Sequence, residues 1–320
     1  MSEKKQMLLI INPRSGKAQI RSRLLEILDI FTKAGYQIQV HITQKALDAR
    51  DTVLCDGMGK DLIVCSGGDG TLNETISGIL GLPDCPLLGY IPAGSTNDFA
   101  SSLHIPKQMS EAAHAVVEGT PYPIDIGCFC DDRYFVYVAG FGAFTEVSYL
   151  TSQDKKNLLG HQAYMLEGVK SLTSIKSYPM KITWEEDSLD DIGQREASLE
   201  GEFIFGMVTN TISVGGFKGL VNQAVALNDG LFEVLLIRTP KTPLDLSNIV
   251  TDLFLRDTQG SEQVYKFKTS SLRIQSEEPV DWVLDGEFGG SRTDVRVENL
   301  CCRMEILRSF PKLQQITKNV

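Results

Sequence analysis

No apolar run in this chain is long enough to cross a bilayer. The longest near-apolar stretch, Tyr134–Phe144, is eleven residues and contains two glycines, against about 20 residues for a spanning helix. The N-terminal run Met7–Ile11 is five residues and stops at Asn12-Pro13, too short for the apolar region of a secretion signal. Any work on a lipid is therefore expected to be done from outside the bilayer. Histidine is scarce, four in 320 residues, and none neighbours a cysteine. The seven cysteines form no CxxC frame: Cys128 and Cys130 are two apart, and Cys301 and Cys302 are adjacent. That argues against a zinc site. Most of the other thiols lie in or beside apolar stretches, as reduced core cysteines of a cytosolic protein do. A basic surplus is lacking too. Lys and Arg number 31 against 41 Asp and Glu, a net charge of −10, which argues against a general nucleic-acid binder.

What charge there is falls unevenly. Residues 185–202 hold eight acids against Arg195 and contribute −7 of the −10. Residues 1–25 hold Lys4, Lys5, Arg14, Lys17, Arg21 and Arg23 against Glu3. Net charge is thus a poor guide to anionic ligands met elsewhere on the chain.

Ordinary glycine and proline usage and 42% hydrophobic residues mark a globular protein, and the length suggests about two domains. Over the first 130 residues strand and helix patterns alternate. Buried-strand runs at Met7–Ile11, Leu62–Ser66 and Leu87–Ile91, and an alternating one from Tyr36 to Ile42, are separated by helical spacing at Ile20–Ala34, Ala46–Met58 and Thr71–Leu80. Short helices are expected at Asn97–Ser102 and Ser110–Glu118. The pattern predicts a parallel sheet covered on both faces, with ligands at the carboxyl ends of its strands. After Pro123 short strands dominate: Tyr134–Ala139, Tyr178–Trp184, Glu202–Thr209, Leu231–Ile237, Tyr265–Lys268, Leu272–Gln275, Trp282–Leu284, Val295–Val297 and a tail strand Cys302–Leu307. Helical stretches near His161–Ser174 and Leu244–Leu255 interrupt them, and Asp187–Ala197 reads as an exposed hairpin loop. An antiparallel second domain, a β-sandwich, is expected.

Three motifs follow strands of the parallel sheet. Gly67-Gly68-Asp69-Gly70-Thr71-Leu72-Asn73-Glu74 stands between a strand and a helix. Its glycines would let backbone approach a phosphate, with the helix N-terminus aimed at the anion, and Asp69 would serve a metal ion or a polarised water. A tight turn is the plainer reading of Asp-Gly. Pro92-Ala93-Gly94-Ser95-Thr96-Asn97-Asp98-Phe99-Ala100 presents hydroxyls and an Asn-Asp pair, which also suit a helix cap. Asn12-Pro13-Arg14-Ser15-Gly16-Lys17 is not a P-loop, since Ile11 and Ala18 stand where that motif needs Gly and Ser or Thr.

In this order and spacing the three motifs resemble the catalytic domain of the diacylglycerol kinase family, which includes bacterial soluble lipid kinases and sphingosine kinases. Pro123-Ile124-Asp125-Ile126-Gly127, Gly140-Phe141-Gly142, Asn228-Asp229-Gly230 and Leu284-Asp285-Gly286-Glu287 agree with it, so the resemblance spans essentially the whole chain. Ser95 departs from the Thr usual in bacterial relatives and keeps the hydroxyl.

The resemblance implies an α/β ATP-binding domain over residues 1–128, with the tail 306–320 packing back on it, and a β-sandwich lipid domain over 129–305, the active site lying in the cleft between. It implies an ATP- and Mg²⁺-dependent lipid kinase that converts diacylglycerol to phosphatidate. Another lipid alcohol as acceptor, or NAD kinase activity, stays open as an alternative. Asn12, Pro13, Arg14, Ser15, Gly16, Thr43, Gly67, Gly68, Asp69, Gly70, Thr71, Leu72, Asn73 and Ser95 would line the ATP site. Asp229, with the carbonyls of Ala226 and Leu231, would hold a Mg²⁺. Glu287 would act as general base, with Asp285 as the second choice, and Asp69 would share in catalysis. Tyr134–Phe144 and a helix carrying Tyr164, Met165, Val169 and Leu172 would line an acyl pocket or fill a core. The protein would dock transiently on the cytoplasmic membrane surface. A second copy of the chain is the protein partner left open, and no nucleic acid is expected.

Overall fold

The computed structural model describes residues 4–16, 20–142, 176–186, 195–211, 213–214, 217–218, 226–242, 244–245, 248–249, 252 and 263–309. Lys17, the helix expected near His161–Ser174 and most of the one expected at Leu244–Leu255 lie outside them. The chain divides into two compact units, Met1–Pro123 with Met304–Val320, and Ile124–Arg303.

The first unit runs β1 (Lys5–Ile11), α1 (Ile20–Lys33), β2 (Tyr36–Ile42), α2 (Asp48–Asp56), β3 (Leu62–Gly67), α3 (Asp69–Leu80), β4 (Leu87–Pro92), α4 (Asp98–Ser102) and α5 (Met109–Glu118). All its strand pairs are parallel, in the order β2-β1-β3-β4, with Met7 opposite Leu62 and Leu62 opposite Leu87. The returning chain adds Ile306 beside Leu88, also parallel. Buried strands covered on both faces read as unbroken apolar runs, and Met7–Ile11 is at most 2% exposed throughout. The edge strand β2 leaves Val40 and Ile42 more than two-fifths exposed. Helix α1 buries the stripe Ile20, Ile27 and Phe31.

Four helix starts differ from the sequence expectation, α5 only by beginning at Met109, and two of them differ for a backbone reason. Leu47 and Asn97 are left-handed, with φ of 62° and 51°, so α2 and α4 begin one residue after each. The start of α2 is held by Glu74, whose carboxylate accepts the N–H groups of Leu47 (2.8 Å) and Ala49 (3.2 Å). Helix α3 begins at Asp69, which puts the Asp-Gly pair into the first helical turn instead of a free loop.

The second unit is antiparallel. The chain enters it within β5 (Thr120–Phe129), continues through β6 (Arg133–Phe135), β7 (Val138–Gly142), β8 (Tyr178–Glu186), β9 (Arg195–Thr209), β10 (Ser213–Val214), β11 (Phe217–Lys218), β12 (Phe232–Arg238), β13 (Val264–Thr269) and β14 (Ser271–Leu284), and leaves within β15 (Glu287–Arg308). β7 and β8 lie end to end between β9 and β14, with β12 and then β13 beyond β9 and β15 beyond β14. The sheet curls, because Phe135 of β6 stacks on Phe232 of β12 with ring centroids 5.5 Å apart. Trp282 anchors the core between Phe129 (5.2 Å) and Phe141 (5.1 Å).

Several expectations are corrected here. Arg195–Ala197 is not loop but the start of β9, with Ala197 opposite Trp184. The single strand expected at Tyr134–Ala139 is broken between Phe135 and Val138. The two late strands are one, β15. Phe135, Ala139 and Phe141 fill the core at 0% exposure, so they do not line an acyl pocket. Of the seven cysteines only Cys65 is buried, and Cys301 and Cys302 are exposed.

Candidate active site

In the first unit, the ends of β1, β3 and β4 bring the three motif loops together. Asn12 follows β1. Its backbone N–H donates to Ser66 O (2.9 Å), its side-chain Nδ2 donates to Thr71 Oγ1 (2.9 Å), and its Oδ1 accepts the N–H of Arg14 (3.0 Å). Ser15 Oγ accepts the N–H of Gly68 (3.2 Å). The N–H of Ala93 donates to Gly67 O (2.7 Å). Thr43, just past β2, donates its N–H to Ile11 O (2.9 Å). The loops of residues 12–16, 67–73 and 93–97 thus form one hydrogen-bonded cluster at the carboxyl edge of the sheet, with Thr43 beside it.

Close backbone approach explains the glycines. A Cβ on Gly68 would stand 3.3 Å from Gly94 Cα, and one on Gly94 would stand 2.7 Å from both Gly68 Cα and Asn97 Oδ1. Gly16 has φ of 52°, and a Cβ there would lie 2.4 Å from the Ala93 carbonyl oxygen. A side chain at Gly16 or Gly94 would collide with the facing loop, and one at Gly68 would crowd it, so these loops pack backbone against backbone. Gly70 and Thr71 lie in the first turn of α3, where backbone N–H groups have no intrahelical acceptor and the helix dipole favours an anion. Arg14 and Ser95 are exposed beside this edge, and Asn73 is half-buried. Leu72 is 1% exposed, so its side chain belongs to the core and only its backbone is near the loop.

Asp69 Oδ2 accepts the backbone N–H of Asp98 (3.3 Å), and Asp98 is buried. Asn97 closes the second motif on itself: its Oδ1 accepts the N–H of Gly94 and its Nδ2 donates to Gly94 O, both 2.9 Å. Neither the capping of α2 by Glu74 nor this closure by Asn97 was assigned from sequence, although both residues sit inside the motifs.

The remaining candidates belong to the second unit. Asp285 is buried with φ of 50°. Its carboxylate accepts the N–H groups of Val136 (2.7 Å), Tyr137 (3.0 Å) and Val138 (3.0 Å), which is why the chain cannot pair through the break between β6 and β7. Glu287, two residues on, is exposed. Asp125, fully buried, accepts the N–H groups of Gly230 (2.7 Å) and Cys302 (2.7 Å).

Asp229 Oδ1 accepts the N–H of Leu231 (3.1 Å), and its Oδ2 faces Lys268 Nζ at 3.4 Å. The same ammonium lies 2.9 Å from Glu233 Oε1. Burial pushes the Glu233 carboxyl above its ordinary range, and Lys268 only partly offsets this. Burial works most strongly against the Lys268 charge, but the hydrogen bonds and charges of Glu233 and Asp229 together outweigh it and hold the ammonium up. Lys268 carries no sequence signal, since it is 39 residues from Asp229, whereas Glu233 stands in the run Asn228–Val234 that follows the family pattern. Burial and the neighbouring Cys302 and Asp125 push the Cys301 thiol up to about 11.

Residues 6–129 match the profile of the diacylglycerol kinase catalytic domain. The chain is 35% identical over 285 residues to a diacylglycerol kinase of Bacillus subtilis, covering 88% of this chain and 89% of the relative. It is 33% identical over 288 residues to one of Staphylococcus saprophyticus, covering 90% of each. Among solved structures it resembles a putative diacylglycerol kinase from Bacillus anthracis, with TM-score 0.76 and 23% identity over 97% of this chain and 98% of that one.

Proposed function

The chain belongs to the diacylglycerol kinase catalytic-domain family, and on that premise we propose that it transfers the γ-phosphoryl group of ATP to the free hydroxyl of diacylglycerol, giving phosphatidate. The observation that carries the nucleotide half of this reading is the close backbone packing of the loops at Gly16, Gly68 and Gly94, where a Cβ would meet the facing loop. An ATP phosphate chain fits such a surface, since it needs close backbone approach and N–H donors. Asn12, Pro13, Arg14, Ser15, Gly16, Thr43, Gly67, Gly68, Asp69, Gly70, Thr71, Leu72, Asn73 and Ser95 are the proposed ATP residues, Leu72 through its backbone alone.

Magnesium suits the oxygen donors present. Asp69 would serve the ion that accompanies the nucleotide. Asp229, with the carbonyls of Ala226 and Leu231, would hold a structural ion, which would take the place of the Lys268 ammonium at Oδ2. When bound, the ion neutralises phosphate charge or anchors the 226–231 loop.

Glu287 is the proposed general base, its carboxylate taking the proton that the lipid hydroxyl loses on attack. Such assistance is worth about 10²–10⁴ in rate, although a loose phosphoryl-transfer transition state asks little of its base. Asp285 has three backbone donors on its carboxylate and positions the turn on which Glu287 stands. Diacylglycerol is membrane-bound, and no helix among the described residues is long and apolar enough to cross a membrane. The reading includes transient docking on the cytoplasmic leaflet, with the exposed Lys4, Lys5, Arg21 and Arg23 as contacts, each worth about 1 kcal/mol near an anionic surface. Arg23 already pairs with Glu26 at 3.1 Å, so its contribution is the smallest. A homodimer is the assembly left open.

The test is γ-labelled ATP incubated with the protein, Mg²⁺ and an extracted lipid pool, with the labelled product identified. Labelled phosphatidate is expected. Label on another lipid would move the acceptor, and label only on NAD would overturn the lipid reading.

A further inference from the structure

Cys301 and Cys302 are adjacent on β15, and successive side chains of a strand normally point to opposite faces. Here they do not. Cys302 has φ of 50°, which breaks the alternation, and the two Sγ atoms stand 3.8 Å apart. That is the edge of a tetrahedron around an ion with sulfur bonds of about 2.3 Å, which comes to about 3.8 Å. A carboxylate oxygen of Asp125 completes the group, with the three donor atoms all within 4.8 Å of one another.

Asp125 is held in place rather than merely nearby. Its Oδ1 accepts the N–H of Cys302 (2.7 Å), and its Oδ2 accepts the N–H of Gly230 (2.7 Å) and Nδ2 of Asn299 (3.4 Å). A carboxylate has about four acceptor positions, so one remains on Oδ1, the oxygen bonded to the cysteine backbone. Donors that fix a ligating carboxylate are a regular part of metal sites. The carboxylate is buried while both thiols are exposed, so an ion has a way in and the fourth position faces water.

We propose that Asp125, Cys301 and Cys302 form a binding site for a thiophilic divalent cation of the Zn²⁺ class. Two sulfurs and one carboxylate suit such an ion and not Mg²⁺. Binding converts two thiols to thiolates, and their protons pass to the buffer. The site lies wholly within the second unit and does not depend on the kinase reading. Its location gives it a consequence: Cys302 gives up its weak S–H contact to Asn228 O (3.8 Å), while the ligating carboxylate of Asp125 keeps the N–H of Gly230. A bound ion ties the Asn228-Asp229-Gly230 turn to β15. The sequence argued against zinc because no histidine neighbours the cysteines. The third ligand is a carboxylate 177 residues from Cys302.

The full chain, reduced with a metal-free phosphine, would be titrated with Cd²⁺ and followed by thiolate-to-metal charge-transfer absorption. Zn²⁺ would be measured by competition with a chromophoric chelator. One equivalent per chain is expected to bind through these thiols. Cys301→Ser and Cys302→Ser should each abolish that equivalent, whereas Cys128→Ser and Cys130→Ser should keep it. Asp125→Asn should weaken binding by about tenfold or more, and melting curves would establish that each variant is folded. Failure to bind a saturable equivalent overturns the proposal, as does the same equivalent persisting in the folded Cys301→Ser, Cys302→Ser double variant.

Discussion

At the carboxyl ends of β1, β3 and β4 the chain thins to glycine, and the first turn of α3 turns backbone N–H groups toward the loop cluster. In the antiparallel unit, buried carboxylates already take such groups: Asp285 accepts those of residues 136–138, and Asp125 accepts those of Gly230 and Cys302. The chemistry is the same in both places, an anion on amide donors. In the proposed nucleotide loops the anion is left for a ligand to supply, although elsewhere in that unit Glu74 takes the N–H groups of Leu47 and Ala49. In the antiparallel unit it is part of the chain and holds loops in place. Substitutions in the glycine loops of the first unit should therefore change turnover, and substitutions of the buried carboxylates of the second should change stability.

Asp69→Asn is the sharpest way to break that contrast. Asn keeps an oxygen for the Asp98 N–H and removes the charge, so turnover of labelled ATP should fall by about 10²–10³ at an unchanged melting temperature. A matching drop in melting temperature would make Asp69 structural, like Asp285. Asp285→Ala should do the reverse. It strands three buried N–H groups, each costing about 1–3 kcal/mol, and a urea denaturation midpoint should fall by the equivalent of about 3 kcal/mol or more. Gly68→Ala should raise the KM for ATP about tenfold, or 1.4 kcal/mol, because the new methyl group points at Gly94; an unchanged KM would remove the phosphate from this loop. Asp229→Ala should lower the melting temperature more in Mg²⁺ than in chelator, since a ligand of the folded state stabilises it, and equal shifts would remove the metal from that loop.

The smallest effect is expected from acid. Asp48 in the first unit is held below the usual carboxylate range by the Gln44 N–H. Asp294 in the second is held down by Arg273, whose Nε donates to it at 2.9 Å. Both folded values lie below the unfolded ones. The stability they contribute is present above about pH 4 and is lost as pH falls through the folded values. Melting temperatures of Asp48→Asn and Asp294→Asn should therefore approach that of the parent protein as pH falls below about 4 and through the folded values, and a gap that does not narrow on acidification would rule the linkage out.

Much of the first unit was legible because its signals are local. An apolar run with glycine after it names a buried strand and the loop that follows, and Met7–Ile11, Leu62–Ser66 and Leu87–Ile91 are strands with the motif loops at their ends. The errors there are one or two residues wide and come from left-handed residues such as Leu47 and Asn97, which pattern does not reveal. The second unit was less legible. Tyr134–Phe144 reads as core before it reads as pocket lining, and packing in one cluster with Trp282 and Phe232 makes Phe135, Ala139 and Phe141 core.

By itself, then, the sequence determined the parallel unit, the loops that cap its strands and the family, since hydrophobic period and turn chemistry act over a few residues. The tertiary structure alone decided which carboxylates are spent on backbone and which face outward, that Lys268 stands between Asp229 and Glu233, and that Asp125 meets two adjacent thiols. Those outcomes depend on pairing between strands far apart in the chain, and on single backbone torsions such as the positive φ of Cys302 and Asp285, which no spacing rule encodes.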